Sequence, residues 1–533
     1  MNDLEDSKPP HIIFIMADDL GWNDVGYHGS DEIPTPNIDA LAYNGIILNR
    51  YYVLPVCTPS RSALMTGRHP IHNGMQHRVL FGVETRGLPL TEKLLPEYLQ
   101  KLGYSTHIVG KWHLGFYKKE YTPLYRGFES HIGFWTGHQD YYDHTAEEER
   151  LWGLDMRHGM KPAWYLHGEY STHVYTRESV KIIKNYNSTK PLFLYVAHAA
   201  VHSGNKYNPL PAPDKTVDKL DHIQNYNRRR YAAMVSELDT SVGNIISALK
   251  DANMLSNSIV IFSTDNGGPA NGLNYNYASN WPMRGVKNTL WEGGVRGVGV
   301  VWSSKFKPNS GGRVSNRMMH ICDWLPTLYA AAGGDVRDLG ENLDGYNMWN
   351  SLLDDLPSPR NEILHNIDDI FGNSALTMSQ WKLVKGTTYN GFYDSWFGPT
   401  GRNPGYFYNI GQVLSSLSNK ALSTLQTVPL NPESIRRIRE EATIDCGNHQ
   451  LISSESRFSN CNPLKESCLF NVDEDPCEID NVAKSFPQVV KEMEERLLYW
   501  NSTAVKPAKV INDLRGNPKF WGYVWTNFGD YNS

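Results

Sequence analysis

Four short apolar runs constrain this chain more than any other feature: each is dense enough to be buried on both faces, and each ends in side chains with chemistry to offer. His11-Ile12-Ile13-Phe14-Ile15-Met16 leads into Asp18-Asp19, and Thr106-His107-Ile108-Val109 into Lys111 and His113. Pro191-Leu192-Phe193-Leu194-Tyr195-Val196 leads into His198 and His202, and Ile259-Val260-Ile261-Phe262 into Asp265-Asn266. Helical patterns lie between them, the clearest being the stripe Tyr231, Met234, Val235, Leu238, Val242, Ile245, Ile246 and Leu249 at three- and four-residue spacing. Strands alternating with helices predict an α/β fold on an open, mostly parallel sheet. Ligands gather at the carboxyl ends of strands in such sheets, so acids, an amide, histidines and a lysine are expected to converge on one edge.

With 533 residues the chain has room for one large domain and a smaller one. The punctuation changes near Leu356-Pro357-Ser358-Pro359-Arg360, and strand-like pieces such as Gln380-Trp381-Lys382-Leu383-Val384 follow Ile370-Phe371-Gly372. A boundary near 370 is therefore expected, with a larger domain carrying the four strand ends over 1–370 and a smaller C-terminal domain over 371–533. The stretch from Asp140 to Glu178 is rich in Tyr, His, Trp and Gly with weak periodicity, and reads either as an excursion over the site or as an ordinary long surface loop.

A formal charge of −6 supplies no basic face, so no nucleic-acid partner is expected. The apolar runs are far shorter than a bilayer span, so no membrane span is expected either. The opening Met1 to Pro10 is polar and carries no signal peptide, while sequons occur at Asn187 and Asn501. Cys446, Cys461, Cys468 and Cys477 cluster near the C-terminus. Closing short local loops favours Cys446 with Cys461 and Cys468 with Cys477, the other two pairings staying open. A zinc site is the rival, but Cys-x-x-Cys and paired-histidine spacings are missing. Disulfides imply an oxidising compartment, consistent with a leader having been removed. Cys322 reads as a small core residue, and Arg228-Arg229-Arg230 as the polar face opening the long helix.

Cys57 stands just before a short helical pattern in which Thr58 suits the cap, Pro59 the first helical position and Gly67 the exit. Helix-start N–H groups favour an anion, and Arg61 adds a cationic fork within a turn of the thiol. A buried core cysteine, a disulfide half and an incidental helix start compete with a functional site on that stretch alone. Asp18, Asp19, Asp265 and Asn266 are hard oxygen donors that suit calcium or magnesium, against the plain readings of a helix cap and a tight turn. A divalent cation there would hold an anionic ester and draw charge from its oxygens.

The run Cys57-Thr58-Pro59-Ser60-Arg61, with Leu64 and Thr66-Gly67-Arg68, resembles the sulfatase signature, and Gly110-Lys111-Trp112-His113-Leu114-Gly115 resembles the second signature of that family. The likeness continues through Asp18-Asp19-Leu20-Gly21-Trp22-Asn23-Asp24-Val25-Gly26, Thr264-Asp265-Asn266-Gly267-Gly268, Asn280-Trp281-Pro282-Met283-Arg284-Gly285, Lys287, and Leu290-Trp291-Glu292-Gly293-Gly294-Val295-Arg296-Gly297. It is similar to the arylsulfatase B branch, the N-acetylgalactosamine-4-sulfatase-like enzymes, from about residue 11 to about 370 and more weakly beyond. Insect glucosinolate sulfatases are a related possibility.

This resemblance implies an alkaline-phosphatase-like fold whose smaller C-terminal domain carries an antiparallel sheet. It implies that Cys57 is converted to formylglycine by a formylglycine-generating enzyme during synthesis. One hydroxyl of the formylglycine hydrate would attack sulfur and the other would expel sulfate. One calcium ion would be held by Asp18, Asp19, Asp265 and Asn266 and would contact residue 57. Arg61 would stabilise the hydrate, Lys111 and Lys287 would bind sulfate oxygens, His113 would take the proton that drives elimination, and His202 would face the leaving oxygen. His198 falls outside the family pattern and reads as a packing residue. The implied location is the secretory pathway, lysosomal or extracellular.

The implied reaction releases inorganic sulfate and an alcohol from 4-sulfated N-acetylgalactosamine ends of glycosaminoglycans. Small sulfated metabolites such as glucosinolates or aryl sulfates are the alternative substrates. Three other readings compete: a phosphate-ester hydrolase of the same broad superfamily, a non-catalytic sulfated-glycan-binding protein, and a thiol hydrolase using Cys57 directly.

Overall fold

The computed structural model describes residues 8–186, 189–306, 312–446, 460–507 and 509–531. Ten strands form the main sheet: β1 (His11–Ala17), β2 (Ile46–Leu48), β3 (Ser105–Lys111), β4 (Ser130–Phe134), β5 (Arg157–His158), β6 (Lys161–Pro162), β7 (Leu192–Ala197), β8 (Ser258–Thr264), β9 (Gly299–Ser303) and β10 (Arg313–Ser315). Their order across the sheet is β10-β2-β9-β8-β1-β7-β3-β4-β5-β6. The four apolar runs become the adjacent parallel strands β8, β1, β7 and β3. Ala17 pairs with Thr264, Met16 with Ala197 and Ala197 with Gly110, so these strands end level with one another.

Side chains alternate across a strand, and the two faces of this sheet feed two different cores. Ile13, Ile15, Leu194, Val196, Val260 and Phe262 pack in one, while Ile12, Phe14, Phe193, Tyr195, Ile259 and Ile261 pack in the other. Burial on both faces explains why these segments read as continuous apolar runs. The helix α1 (Cys57–Thr66) covers the second face through Ala63, Leu64 and Met65. The helices α2 (Ser171–Lys184) and α3 (Tyr226–Asp251) cover the first. The whole predicted stripe of α3, from Tyr231 to Leu249, is buried, each large apolar side chain contributing roughly 1.5–3 kcal/mol.

One expectation about α3 is overturned at its start. Arg228 is buried rather than part of a polar face, donating to Asp24 Oδ1 at 2.6 Å and to Glu32 Oε2 at 2.6 and 2.8 Å. The reason is helical phase: Arg228 precedes Tyr231, Val235, Leu238 and Val242 by three, seven, ten and fourteen residues, on the buried stripe. The 140–178 stretch is likewise more regular than expected. It forms a hairpin from Thr145–Glu148 and Leu151–Leu154, adds β5 and β6 at one end of the main sheet, and enters α2. Strands of two to four residues are too short to leave a readable period in the sequence.

A second sheet is antiparallel throughout, in the order β11 (Glu362–Asp368), β12 (Asn373–Met378), β13 (Trp381–Lys385) and β14 (Cys468–Asn471). The helix α4 (Pro432–Ala442) returns to the large core through Ile435 and Ile438. The helix α5 (Pro487–Thr503) packs Met493 and Leu497 on Leu364, Leu376 and Leu383 of the second sheet. A buried ion cluster joins the two sheets. Lys382 Nζ on β13 lies 2.8 Å from Glu292 Oε1 and 2.8 Å from Glu478 Oε1, and Arg296 Nη1 lies 3.3 Å from Glu292 Oε2.

The disulfides are Cys446–Cys477 and Cys461–Cys468, which corrects the favoured pairing. Tertiary packing overrides loop length for one bridge: Cys446 and Cys477, 31 residues apart, meet in a cluster with Trp22, Met283 and Ile444, and Cys468 on β14 is left to close a seven-residue loop with Cys461. Cys322 is a buried free thiol, as expected. Asn501 is exposed near the end of α5, whereas Asn187 lies outside the described residues. Among the described residues no helix is long and apolar enough to cross a membrane.

Replacing Arg228 with alanine strands two buried carboxylates, and a loss of about 3–5 kcal/mol is expected as a lower denaturation midpoint. An unmoved midpoint would show that Asp24 and Glu32 do not depend on it. Peptide mapping without reduction is expected to yield species joining Cys446 to Cys477 and Cys461 to Cys468; a Cys468–Cys477 species would contradict this fold.

Candidate active site

The site lies where β1, β7, β8 and β3 end together. Asp18 follows β1, Asp265 follows β8 and Lys111 is the last residue of β3. Lys111 is reached through Gly110, whose φ of +108° is open to glycine, and where a Cβ would lie 1.9 Å from Ala197 O. Asp19 also has a left-handed φ, of 64°, and its N–H donates to Asp265 Oδ1 at 3.3 Å. The backbone of Asp18 clasps the turn after β7, its N–H donating to Ala200 O at 2.9 Å and its carbonyl accepting from Val201 N–H at 2.6 Å.

Cys57 is the first residue of α1 rather than the one before it, and Val56 occupies the cap position. Thr58 is therefore no cap: its hydroxyl donates to His113 O at 3.1 Å and accepts from Leu80 N–H at 3.2 Å, so the helix start is pinned to the turn after β3. Gly67 does close the helix, with φ 66°. The Cys57 thiol donates to Asp18 Oδ1 at 3.4 Å. Burial, then the Asp18 and Asp265 carboxylates, push it well above the ordinary thiol range, so the sulfur stays protonated and is a poor nucleophile. That counts against a thiol hydrolase.

Ligand atoms of Asp18, Asp19, Asp265 and Cys57 lie within 4.8 Å of one another, all buried. Each carboxylate has a cation. Lys111 Nζ lies 2.6 Å from Asp18 Oδ2, and Lys287 Nζ lies 2.7 and 2.8 Å from the two oxygens of Asp19. Arg61 donates from Nε and Nη2 to Asp265 Oδ2 at 3.1 and 2.8 Å, and Nη2 reaches Asp18 Oδ1 at 3.6 Å. Burial, and after it the neighbouring Asp18, raise the Asp265 carboxyl above its ordinary value. Burial would raise Asp19 as well, but Lys287 and His202 outweigh it and hold that carboxyl below the usual range. Asn266 donates through Nδ2 to Asp19 Oδ1 at 2.7 Å, while its buried Oδ1 has no hydrogen-bond partner.

Two histidines flank the carboxylates. His113 donates from Nε2 to Leu80 O at 3.0 Å, leaving the buried Nδ1 without a partner. Burial, with Lys111 and Arg61 nearby, holds the ring well below its ordinary pKa and therefore neutral. His202 donates from Nδ1 to Ser203 O at 2.7 Å, and its Nε2 lies 3.5 Å from Asp19 Oδ2. A ring nitrogen of His202 also falls within 4.8 Å of the Cys57 sulfur and an Asp18 oxygen. His198, in contrast, is turned to Ser241 on α3, with its Nε2 3.0 Å from that hydroxyl, which is the packing role expected of it.

Three contributors escaped the sequence. Tyr195 on β7 holds its hydroxyl 3.4 Å from Arg61 Nη1, yet reads as one more apolar strand residue. Tyr141 braces the turn that carries His202, its hydroxyl 2.8 Å from Ala199 O and 2.7 Å from His202 O. His138 stacks on His202 at 5.8 Å and 19° between planes. The preceding Gly137 allows this close turn: a Cβ there would come within 2.8 Å of the His113 ring. No spacing signal marks His138 or Tyr141.

The sulfatase family profile matches residues 10–334. Mouse (Mus musculus) arylsulfatase J is 40% identical over 540 residues, covering 97% of this chain and 80% of that protein. Human (Homo sapiens) N-acetylgalactosamine-6-sulfatase is 34% identical over 360 residues, covering 65% of this chain and 66% of that protein. Among solved structures, Ps i-CgsB in complex with k-i-k-neocarrahexaose matches with a TM-score of 0.70 at 26% identity, covering 96% of this chain and 97% of its own. The chain belongs to the sulfatase family, as a sulfuric ester hydrolase of the arylsulfatase type.

Proposed function

We propose that the chain hydrolyses sulfate esters through a formylglycine made from Cys57, with one calcium ion held by Asp18, Asp19, Asp265 and Asn266. We further propose the 4-sulfated N-acetylgalactosamine end of a glycosaminoglycan as its substrate. The observation that carries the reading is the cluster of three buried carboxylates within 4.8 Å of the Cys57 sulfur, ringed by Arg61, Lys111 and Lys287. The donor set fits a hard divalent cation: all four side chains offer oxygen, and Asn266 Oδ1 is buried with no other partner. The hydrate of the modified residue would supply an oxygen nucleophile for sulfur and a second hydroxyl for release, and a divalent cation held by the four side chains would supply positive charge.

This chain's own residues do the rest. Three carboxylates and three cations cancel, so a divalent ion leaves the site positive and matched to the single negative charge of a sulfate ester. Lys111 and Lys287 stand against the carboxylates, where they can bind sulfate oxygens. Arg61, fixed by Asp265 and α1, orients residue 57. His113 has Nδ1 open to accept a proton because Leu80 O commits its Nε2–H. His202 offers Nε2 to the departing oxygen, and the ester's negative charge favours a proton there. The relative named for N-acetylgalactosamine sulfate and the solved relative holding an oligosaccharide support a sugar as the alcohol. Two disulfides fit passage through the secretory pathway, where a formylglycine-generating enzyme would act on the chain.

The peptide containing Cys57, from enzyme made in a eukaryotic secretory host, is expected to carry the mass of formylglycine, and Cys57→Ala to abolish turnover of N-acetylgalactosamine 4-sulfate. Full activity with an unmodified Cys57 would sink the mechanism. Chelation is expected to remove activity at least roughly a hundredfold, with calcium restoring it better than magnesium, because the site offers several carboxylates in place of retained waters. Activity indifferent to chelator would remove the metal from the account.

A further inference from the structure

The segment Tyr389-Asn390-Gly391-Phe392-Tyr393-Asp394-Ser395-Trp396-Phe397 places five aromatic residues within nine positions. Tyr389 and Asn390 both sit at left-handed φ, 53° and 51°, a conformation costly for side chains other than glycine. The segment is tied to the active-site loop that follows Asn266. Asn288, next to Lys287, donates from Nδ2 to the Tyr389 hydroxyl at 3.1 Å and accepts at its carbonyl from Thr388 Oγ1 at 2.7 Å. The Asn288 N–H donates to Pro55 O at 2.7 Å, two residues before Cys57. Gly285 N–H donates to Ser395 O at 2.8 Å, and Trp291 Nε1 to Asp394 Oδ1 at 2.8 Å. The far side of the segment is not packed away: Phe392 is 69% exposed, with the Tyr393 ring 4.9 Å from it and Tyr389 5.1 Å beyond Tyr393.

This segment forms one wall of a groove of about 1220 Å³, larger than the pocket a drug-sized ligand fills. Phe392, Trp396, Tyr277, Tyr406, Asn271 and Asn390 line it. The groove connects to the site through Asn390, which lines it and follows Tyr389, the residue whose hydroxyl accepts from Asn288 beside Lys287. Its lining includes Arg228 at the start of α3, which is tied to Asp24, seven residues beyond β1, and to Tyr277 O at 2.8 Å. Asn271, Tyr277 and Lys287 belong to one loop, so its inner end reaches Asp19 while its outer part lines the groove. Among the described lining residues both cations are committed, Arg228 to Asp24 and Glu32, and Arg284 to the carbonyls of Asp394 and Glu478. The surface thus presents ring faces and amides without a free positive charge, a combination that suits the apolar faces and hydroxyls of pyranose rings rather than rows of sulfate groups.

We infer that this groove binds the sugar residues adjoining the sulfated one, so that the substrate is an oligosaccharide end rather than a small sulfated metabolite, with Phe392 as the stacking platform. The inference rests on the sulfate-ester reading above. Its test compares kcat/KM for a chondroitin hexasaccharide sulfated only at the 4-position of its terminal N-acetylgalactosamine with that for the monosaccharide N-acetylgalactosamine 4-sulfate, in the wild type, Phe392→Ala and Phe392→Trp. A wild-type preference for the hexasaccharide is expected, falling roughly tenfold in Phe392→Ala, mainly through KM, and returning in Phe392→Trp. Equal use of the two substrates by the wild type, or a ratio unmoved by Phe392→Ala, would overturn the groove while leaving the sulfatase chemistry intact. Turnover of 4-nitrophenyl sulfate reports on that chemistry separately. If enzyme with verified formylglycine turns over none of the three, the sulfate-ester reading fails, and calorimetric titration of the hexasaccharide into wild type and Phe392→Ala then decides the groove: equal heats from both would overturn it.

Discussion

The pairing of three buried carboxylates with three buried cations at one sheet edge is the interaction on which the rest of this structure depends. Charges taken out of water are costly, and each of Asp18, Asp19 and Asp265 stays tolerable because Lys111, Lys287 or Arg61 lies within hydrogen-bond reach. Such a cluster adds little net stability, so the surrounding cores must carry it. They do so on both faces of the sheet, with apolar strands whose ends are level to within a residue. Level ends are a functional requirement, since a slip of one residue would send every side chain of a strand to the other face and break the pairings.

Much of this was legible before any coordinates. Strands buried on both faces announce themselves as unbroken apolar runs, and residues just beyond such runs lie at one edge whatever the order of the strands, so position alone brings Asp18, Asp19, Lys111, His113, Asp265 and Asn266 to one edge; it brings His198 there as readily as His202, and only the resemblance separates the two. Cys57 needed the resemblance as well, because a thiol before a helix has ordinary explanations. Arg228 is a case where chemistry and phase disagree: its charge suggests the polar face, while its angle puts it on the apolar stripe, where buried carboxylates meet it. Tyr195, Tyr141 and His138 carry no comparable mark. A tyrosine in a strand looks like core until a cation is seen at its hydroxyl, and the stacking of His138 on His202 depends on a turn built from short hairpins. Disulfide partners failed for a related reason, since Cys446 and Cys477 are brought together by packing around Trp22 across the fold.

The two histidines show how backbone carbonyls assign chemical roles. Leu80 O takes the Nε2 proton of His113, and Ser203 O takes the Nδ1 proton of His202, so opposite nitrogens of the two rings are left as acceptors. Neither carbonyl belongs to a residue with chemistry of its own, and each is supplied by a turn held in place by hydrogen bonding to the site, through Thr58 in one case and Tyr141 in the other.

The Glu292–Lys382–Glu478 cluster has a consequence in time as well as in space. Glu292 lies five residues beyond Lys287, and its partners come from strand β13 and from the turn after β14, which leave the ribosome much later. Until they arrive, Glu292 has Arg296 as its cation, and the loop carrying Lys287 lacks the second sheet that packs behind it. The nascent large sheet can thus be complete in its strands while the loop beside the site still waits for the partners that the later part of the chain brings.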